Sequence, residues 1–127
     1  MPARALGGDV REAERPEFGW LDIAPTVEAA EDPVLGHLTA PTGVYQWHYD
    51  VIELPPRARR LASSPLAANQ AFRADGADAW GIQCHPEVDT QLWETWMSRH
   101  PTEVREAGVD VEQLRAAVQR GITKSLP

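Results

Sequence analysis

A chain of 127 residues, 43% hydrophobic and 24% charged, has the length and composition of one globular domain, which excludes both wholesale disorder and a two-domain chain. Twelve Lys and Arg against nineteen Asp and Glu give a net charge of −7, the wrong sign for affinity built on neutralising phosphates, so nucleic acid is not an expected partner. No apolar run reaches the roughly eighteen residues that span a bilayer, no apolar signal core follows the N-terminus, and a single cysteine excludes an internal disulfide; a cytoplasmic setting away from membranes is expected.

Residues 3–8, "ARALGG", read as the last turn of a helix followed by a glycine stop. Residues 17–26, "EFGWLDIAPT", combine aromatics and Ile before a Pro boundary and predict a strand. In "AEDPVLGHL" Asp32 and Pro33 have the character of an N-cap and a first helical position, within a loop that holds one helical turn. The segment "GVYQWHYDVIELPP" predicts a longer strand ended by Pro55 and Pro56. Its alternation puts Tyr45, Trp47 and Tyr49 on one face and Gln46, His48 and Asp50 on the other.

"RRLASS" is a short strand, and residues 69–84 read as a hairpin around "DGAD", with Gly76 at the positive-φ position and the second strand over residues 79–84. After Glu87 the period changes from two to 3.6. Leu92, Trp93, Trp96 and Met97 form the apolar stripe of a helix over about residues 90–99, capped by Asp89 or Thr90 and ended by Pro101. A last helix opens at Asp110, with Gln113 at capping-box spacing, buries Val111, Leu114, Ala117 and Val118, and stops at Gly121. No internal repeat is present.

The chemistry-bearing stretch is "CHPE", Cys84 to Glu87. Glu87, two positions after His85 on an extended chain, can reach the imidazole and orient it as a base; the same spacing also fits a surface pair in a loop. Adjacent residues of a strand point to opposite faces, so the Cys84 thiol is expected to face the core rather than His85. His48 and Asp50 with His85 and Glu87 make a conceivable metal set of two imidazoles and two carboxylates, without the helical spacing of common zinc sites. His37 and His100 have no evident partners and are expected in solvent.

"WGIQCHPEVD", residues 80–89, resembles the C-terminal signature of the class I glutamine amidotransferases, in which a strand ending Gly-hydrophobic-Gln-aromatic precedes His-Pro-Glu. "YQWHYDVIELPPRARRLASS" is similar to the family's Gln-Trp-His-x-Asp segment with its Leu-Pro and Leu-Ala-x-Ser stretches, and "NQAFR" and "EFGW" have counterparts at similar distances. The resemblance covers about residues 3–99 and leaves 102–121 as a helical extension. It is strongest to stand-alone amidotransferases related to the glutaminase domain of GMP synthase.

That resemblance implies an α/β fold: an incomplete flavodoxin-like domain whose C-terminal portion carries a mixed sheet, a hairpin and terminal helices. It implies that His85 and Glu87 complete a Cys-His-Glu triad that hydrolyses glutamine to glutamate and ammonia, without a metal or organic cofactor. It further implies that the backbone around Gln46, Trp47 and His48 holds the substrate's α-amino and α-carboxylate groups. Cys84 falls where the family has Phe. The family's nucleophile sits on a Gly-x-Cys-x-Gly elbow before a helix ending much like "LARALGG"; with "MPARALGG" at the start, the elbow is expected upstream of Met1. The expected protein therefore carries the His/Glu half of a site and is inactive alone, as a truncated frame or one piece of a split enzyme. Its expected partners are glutamine and either the missing N-terminal half or a synthetase or acceptor protein, and an unpaired sheet edge and an uncovered apolar face are expected with them. Two alternatives stand beside it: a nucleophile-less module that recognises glutamine or a partner protein, and a relocated nucleophile at Cys84.

Overall fold

The computed structural model describes residues 2–125. A short helix α1 (Pro2–Ala5) leads into β1 (Asp9–Pro25) and a 3-10 turn (Val27–Glu31), followed by β2 (Thr42–Glu53), β3 (Ala58–Ser63), β4 (Ala71–Ala74) and β5 (Trp80–Ile82). Three helices close the chain: α2 (Thr90–Arg99), α3 (Pro101–Glu106) and α4 (Val111–Ser125). The strands form one sheet in the order β2-β1-β3-β4-β5. The α/β arrangement is thus observed, and its ladders among the described residues all run antiparallel.

β1 starts at Asp9, eight residues before the predicted Glu17, and pairs with β2 from Asp9 opposite Glu53 to Ile23 opposite Thr42. Its first half is largely exposed, so no alternation of apolar residues marks it. The register slips between Glu12 and Glu17. Pro16 falls inside that slip, where a missing N–H breaks no ladder bond. The ladder of β5 covers Trp80 to Ile82 only, shorter than the predicted 79–84, because the chain turns away after Gln83 donates to Gln70 O at 2.8 Å. The sheet then curls until His85 meets β2, in an isolated bridge to Tyr45.

The loop turn forms as expected: Asp32 Oδ1 accepts from Val34 N and Leu35 N at 2.9 Å each, and Gly36 N donates to Asp32 O at 2.8 Å. In α2, Asp89 is the cap and accepts from Leu92 N at 2.7 Å, which satisfies one of the donors a helix start leaves free. Asp89→Ala is expected to lower stability by about 1 kcal/mol, read as a lower urea midpoint with an unchanged slope.

Two helical expectations need correction. Pro101 ends α2 but also starts α3, as a first-turn proline, since its missing N–H has no helical partner at that position. Gly121 does not stop α4, which runs on to Ser125. Its hydrogen faces the Trp20 indole so closely that a methyl group there would overlap the ring. The Asp110 cap is as predicted, accepting from Glu112 N and Gln113 N at 3.0 and 3.1 Å.

Three apolar clusters hold the described residues together, the smallest being Ala3, Ile52 and Phe72. Tyr45, Val88, Trp93, Met97, Val104, Leu114 and Val118 fill the space between the β1/β2 face and the three helices, so that this apolar face is covered by the chain itself. Ile23, Ala29, Leu35, Val44, Leu61, Ala62, Ala71 and Cys84 form the second cluster on the other side, and there a cavity of about 350 Å³ lined by Val34, Val44, Ile82 and Cys84 remains open. No helix among the described residues is long and apolar enough to cross a membrane.

Candidate functional site

His85 lies just past β5, and its position is set by the backbone: its N–H donates to Tyr45 O at 2.8 Å. Its ring Nδ1 sits 2.8 Å from Glu87 Oε1, and the Trp96 ring of α2 packs edge-on against it, with centroids 5.0 Å apart. Nδ1 bonded to a carboxylate carries its hydrogen, which leaves Nε2 to exchange a proton with a substrate. The imidazole borders two openings. One, of about 350 Å³, is walled by Trp47, His48, Tyr49, Asp50 and Gln83 together with α1; the other, of about 340 Å³, by Trp47, Tyr49, Trp96, His100 and Glu103.

Cys84, the neighbour of His85 in sequence, faces away. It is 6% exposed and belongs to the apolar cluster with Ile23 and Leu61, and burial pushes its thiol up to about 11. A thiol so placed is protonated at neutral pH and shielded from solvent, the opposite of an activated nucleophile. It borders the third cavity, which His85 does not reach.

No family model matches the chain. A glutamine-hydrolyzing GMP synthase subunit of Sulfolobus acidocaldarius is 39% identical over 87 residues, which make up 68% of this chain and 45% of that protein. A glutamine amidotransferase of known structure from Thermotoga maritima superposes with a TM-score of 0.84 at 27% identity, over 94% of this chain and 50% of its own. One from Methylobacillus flagellatus superposes with a TM-score of 0.70 at 33% identity, over 80% and 40%. These matches make the chain similar to the glutamine amidotransferases. The chain spans about half the length of the relatives it matches.

The candidate site also contains residues that sequence reasoning passed over. Trp47 turns to the helical side, against Phe18 and Trp96 at centroid distances of 5.0 and 5.9 Å, while Gln46 and His48 turn inward. His48 Nε2 lies 3.0 Å from Glu17 Oε2, and Glu17 stands directly opposite His48 in the β1/β2 ladder. Asp50 meets His48 through its backbone carbonyl, at 2.9 Å from Nδ1. The imagined four-residue metal set is therefore not assembled: His48 pairs with Glu17, and His85 with Glu87. Among the described residues no three His, Cys, Asp or Glu side chains converge on a metal position.

His100, expected to be solvated and alone, bonds Glu103 at 3.0 Å and packs edge-on against Trp47. His37 borders the apolar cavity beside Cys84. For Glu17, a signal was present in the sequence. Counting back by twos from the buried Ile23 places Glu17 on the inner face of its strand, where a carboxylate demands partners.

Proposed function

We propose that this chain supplies the base half of a glutaminase site, with His85 as the proton carrier and Glu87 as its orienter. The observation that carries the proposal is the 2.8 Å contact from His85 Nδ1 to Glu87 Oε1, with the same imidazole bordering a cavity of about 350 Å³. In the reaction a cysteine thiolate attacks the side-chain amide carbon of glutamine, after its proton has passed to His85 Nε2. That proton goes to the departing nitrogen and ammonia leaves. Water then gives a proton to His85, attacks the thioester and releases glutamate, while the thiol regains its hydrogen. Glu87 holds the Nδ1 hydrogen throughout and offsets the charge of the imidazolium. The backbone around Gln46, Trp47 and His48 holds the α-amino and α-carboxylate groups of the substrate.

The burial and raised pKa of Cys84 favour a nucleophile from outside this chain, on a Gly-x-Cys-x-Gly elbow of a second polypeptide segment, so that the chain alone is inactive. A relative named as one subunit of GMP synthase supports a further partner protein that consumes the ammonia. Residues 3–99 form the family part of the domain and 102–121 a helical extension.

The test is ammonia release from glutamine. The 127-residue chain alone is expected to stay at background, and mixing it with an elbow-bearing segment is expected to produce activity. Turnover by the chain alone would overturn the assignment of the nucleophile; a mixture that associates but stays silent would overturn the role of His85 and Glu87.

A further inference from the structure

Glu17 and His48 are nearly fully enclosed, with side chains 3% and 10% exposed. The carboxylate is fully engaged: Oε1 accepts from Ser64 Oγ at 2.6 Å, and Oε2 from Gln70 Nε2 at 2.6 Å. His48 Nδ1 sits 2.9 Å from the Asp50 carbonyl. A carbonyl only accepts, so Nδ1 carries a hydrogen and any change of protonation falls on Nε2. Nε2 faces two acceptors, Glu17 Oε2 at 3.0 Å and Gln46 Oε1 at 3.1 Å.

A hydrogen on Nε2 satisfies both contacts. Without it, a lone pair would confront two oxygens inside a buried space, an arrangement that is strongly unfavourable. One rearrangement relieves half of it, the contact with Gln46. The Gln46 amide nitrogen is buried and has no hydrogen-bond partner, and the two ends of an amide occupy nearly the same space. Turned by half a revolution, that nitrogen donates to the neutral imidazole. The Gln46 amide thus has two settings, and one proton on His48 selects between them.

We infer that Glu17 is a positioning residue: with His48 and Gln46 it forms a proton-dependent latch that sets the β2 stretch from Tyr45 to His48 against His85. The connection is short, since Tyr45 O receives the His85 N–H and Trp47 packs on the Trp96 that touches the His85 ring. The functional consequence rests on the proposed glutaminase reading, because this stretch is where that reading places the glutamine backbone groups. Besides Glu17 from β1, the ionisable groups felt by the pair are His85 and Cys84, both past β5. Burial lowers the His48 pKa from its ordinary value, against the opposing pull of Glu17, so acidification protonates Nε2 and changes the setting of the latch.

The experiment is an imidazole and amide NMR titration of the 127-residue chain between about pH 5 and about pH 8. His48 Nδ1 is expected to stay protonated while Nε2 titrates, and the Gln46 side-chain amide and the His85 backbone amide are expected to move with the same midpoint. In Glu17→Gln the midpoint is expected to fall by about one unit or more, because the anion that favours the imidazolium is gone; Glu17→Asp should recover part of it. Gln46 and His85 signals that ignore the His48 titration in the unaltered chain would overturn the latch, even if the Glu17 variants fail to fold. So would a His48 midpoint unmoved in Glu17→Gln. In the mixed assembly, Glu17→Gln is expected to shift the acid limb of kcat/KM in the same direction. If no assembly hydrolyses glutamine, the glutaminase reading fails while the ring and amide titrations still decide the latch.

Discussion

Replacing His85 with alanine is expected to lower kcat for glutamine hydrolysis by the mixed assembly on the order of a million-fold, the loss seen when a protease triad loses its base. The size follows from the two jobs that the proposed reaction gives to one imidazole: taking the thiol proton and returning it to nitrogen. His48, the other imidazole bordering the same opening, has both nitrogens engaged by Asp50 O, Glu17 and Gln46. Glu87→Gln keeps the shape but loses the charge that fixes the Nδ1 hydrogen, and is expected to cost on the order of ten-thousand-fold. Steady-state ammonia release at saturating glutamine measures both. A loss of less than about tenfold for His85→Ala, about 1.4 kcal/mol of barrier, would remove His85 from the chemistry.

Gly121→Ala should lower the stability of the fold by about 2 kcal/mol, although alanine in a helix interior is intrinsically better than glycine by about 1 kcal/mol. The opposing term is steric. The added methyl group would overlap the Trp20 indole, and the indole cannot retreat freely because Gly43 of β2 meets the same ring from another side, equally short of room. Overpacking of this kind costs about 1–3 kcal/mol and occasionally more, so with two glycines clamping one indole the steric term is placed at the upper end. A urea titration reads the result as a lower midpoint at constant slope. An unchanged or raised midpoint would show that Trp20 moves aside easily.

What was legible in the sequence was local. The Asp89 and Asp110 caps, the burial of Trp93 and Met97, the alternation of β2 and the inward turn of Cys84 all depend on residues within a few positions of one another. The His85–Glu87 contact was legible for the same reason, since two positions separate its partners. What escaped depends on distant pairing. The first half of β1 is solvent-exposed and held by its ladder to β2, so its own composition gives little strand signal. Gly121 has the local look of a helix stop, and only the indole of Trp20, brought from another element, explains it. Glu17 and His48 meet through strand register, which no single segment encodes. Pro101 carried both meanings at once, ending one helix and opening the next.

The central claim is that His85 and Glu87 serve a thiol other than Cys84. Treating the active mixed assembly with an electrophilic glutamine analogue and mapping the modified peptide by mass spectrometry tests it directly. The label is predicted on the elbow cysteine of the second segment, with labelling suppressed in His85→Ala and Cys84 left unmodified. A label on Cys84, with activity lost in Cys84→Ser, would contradict the account.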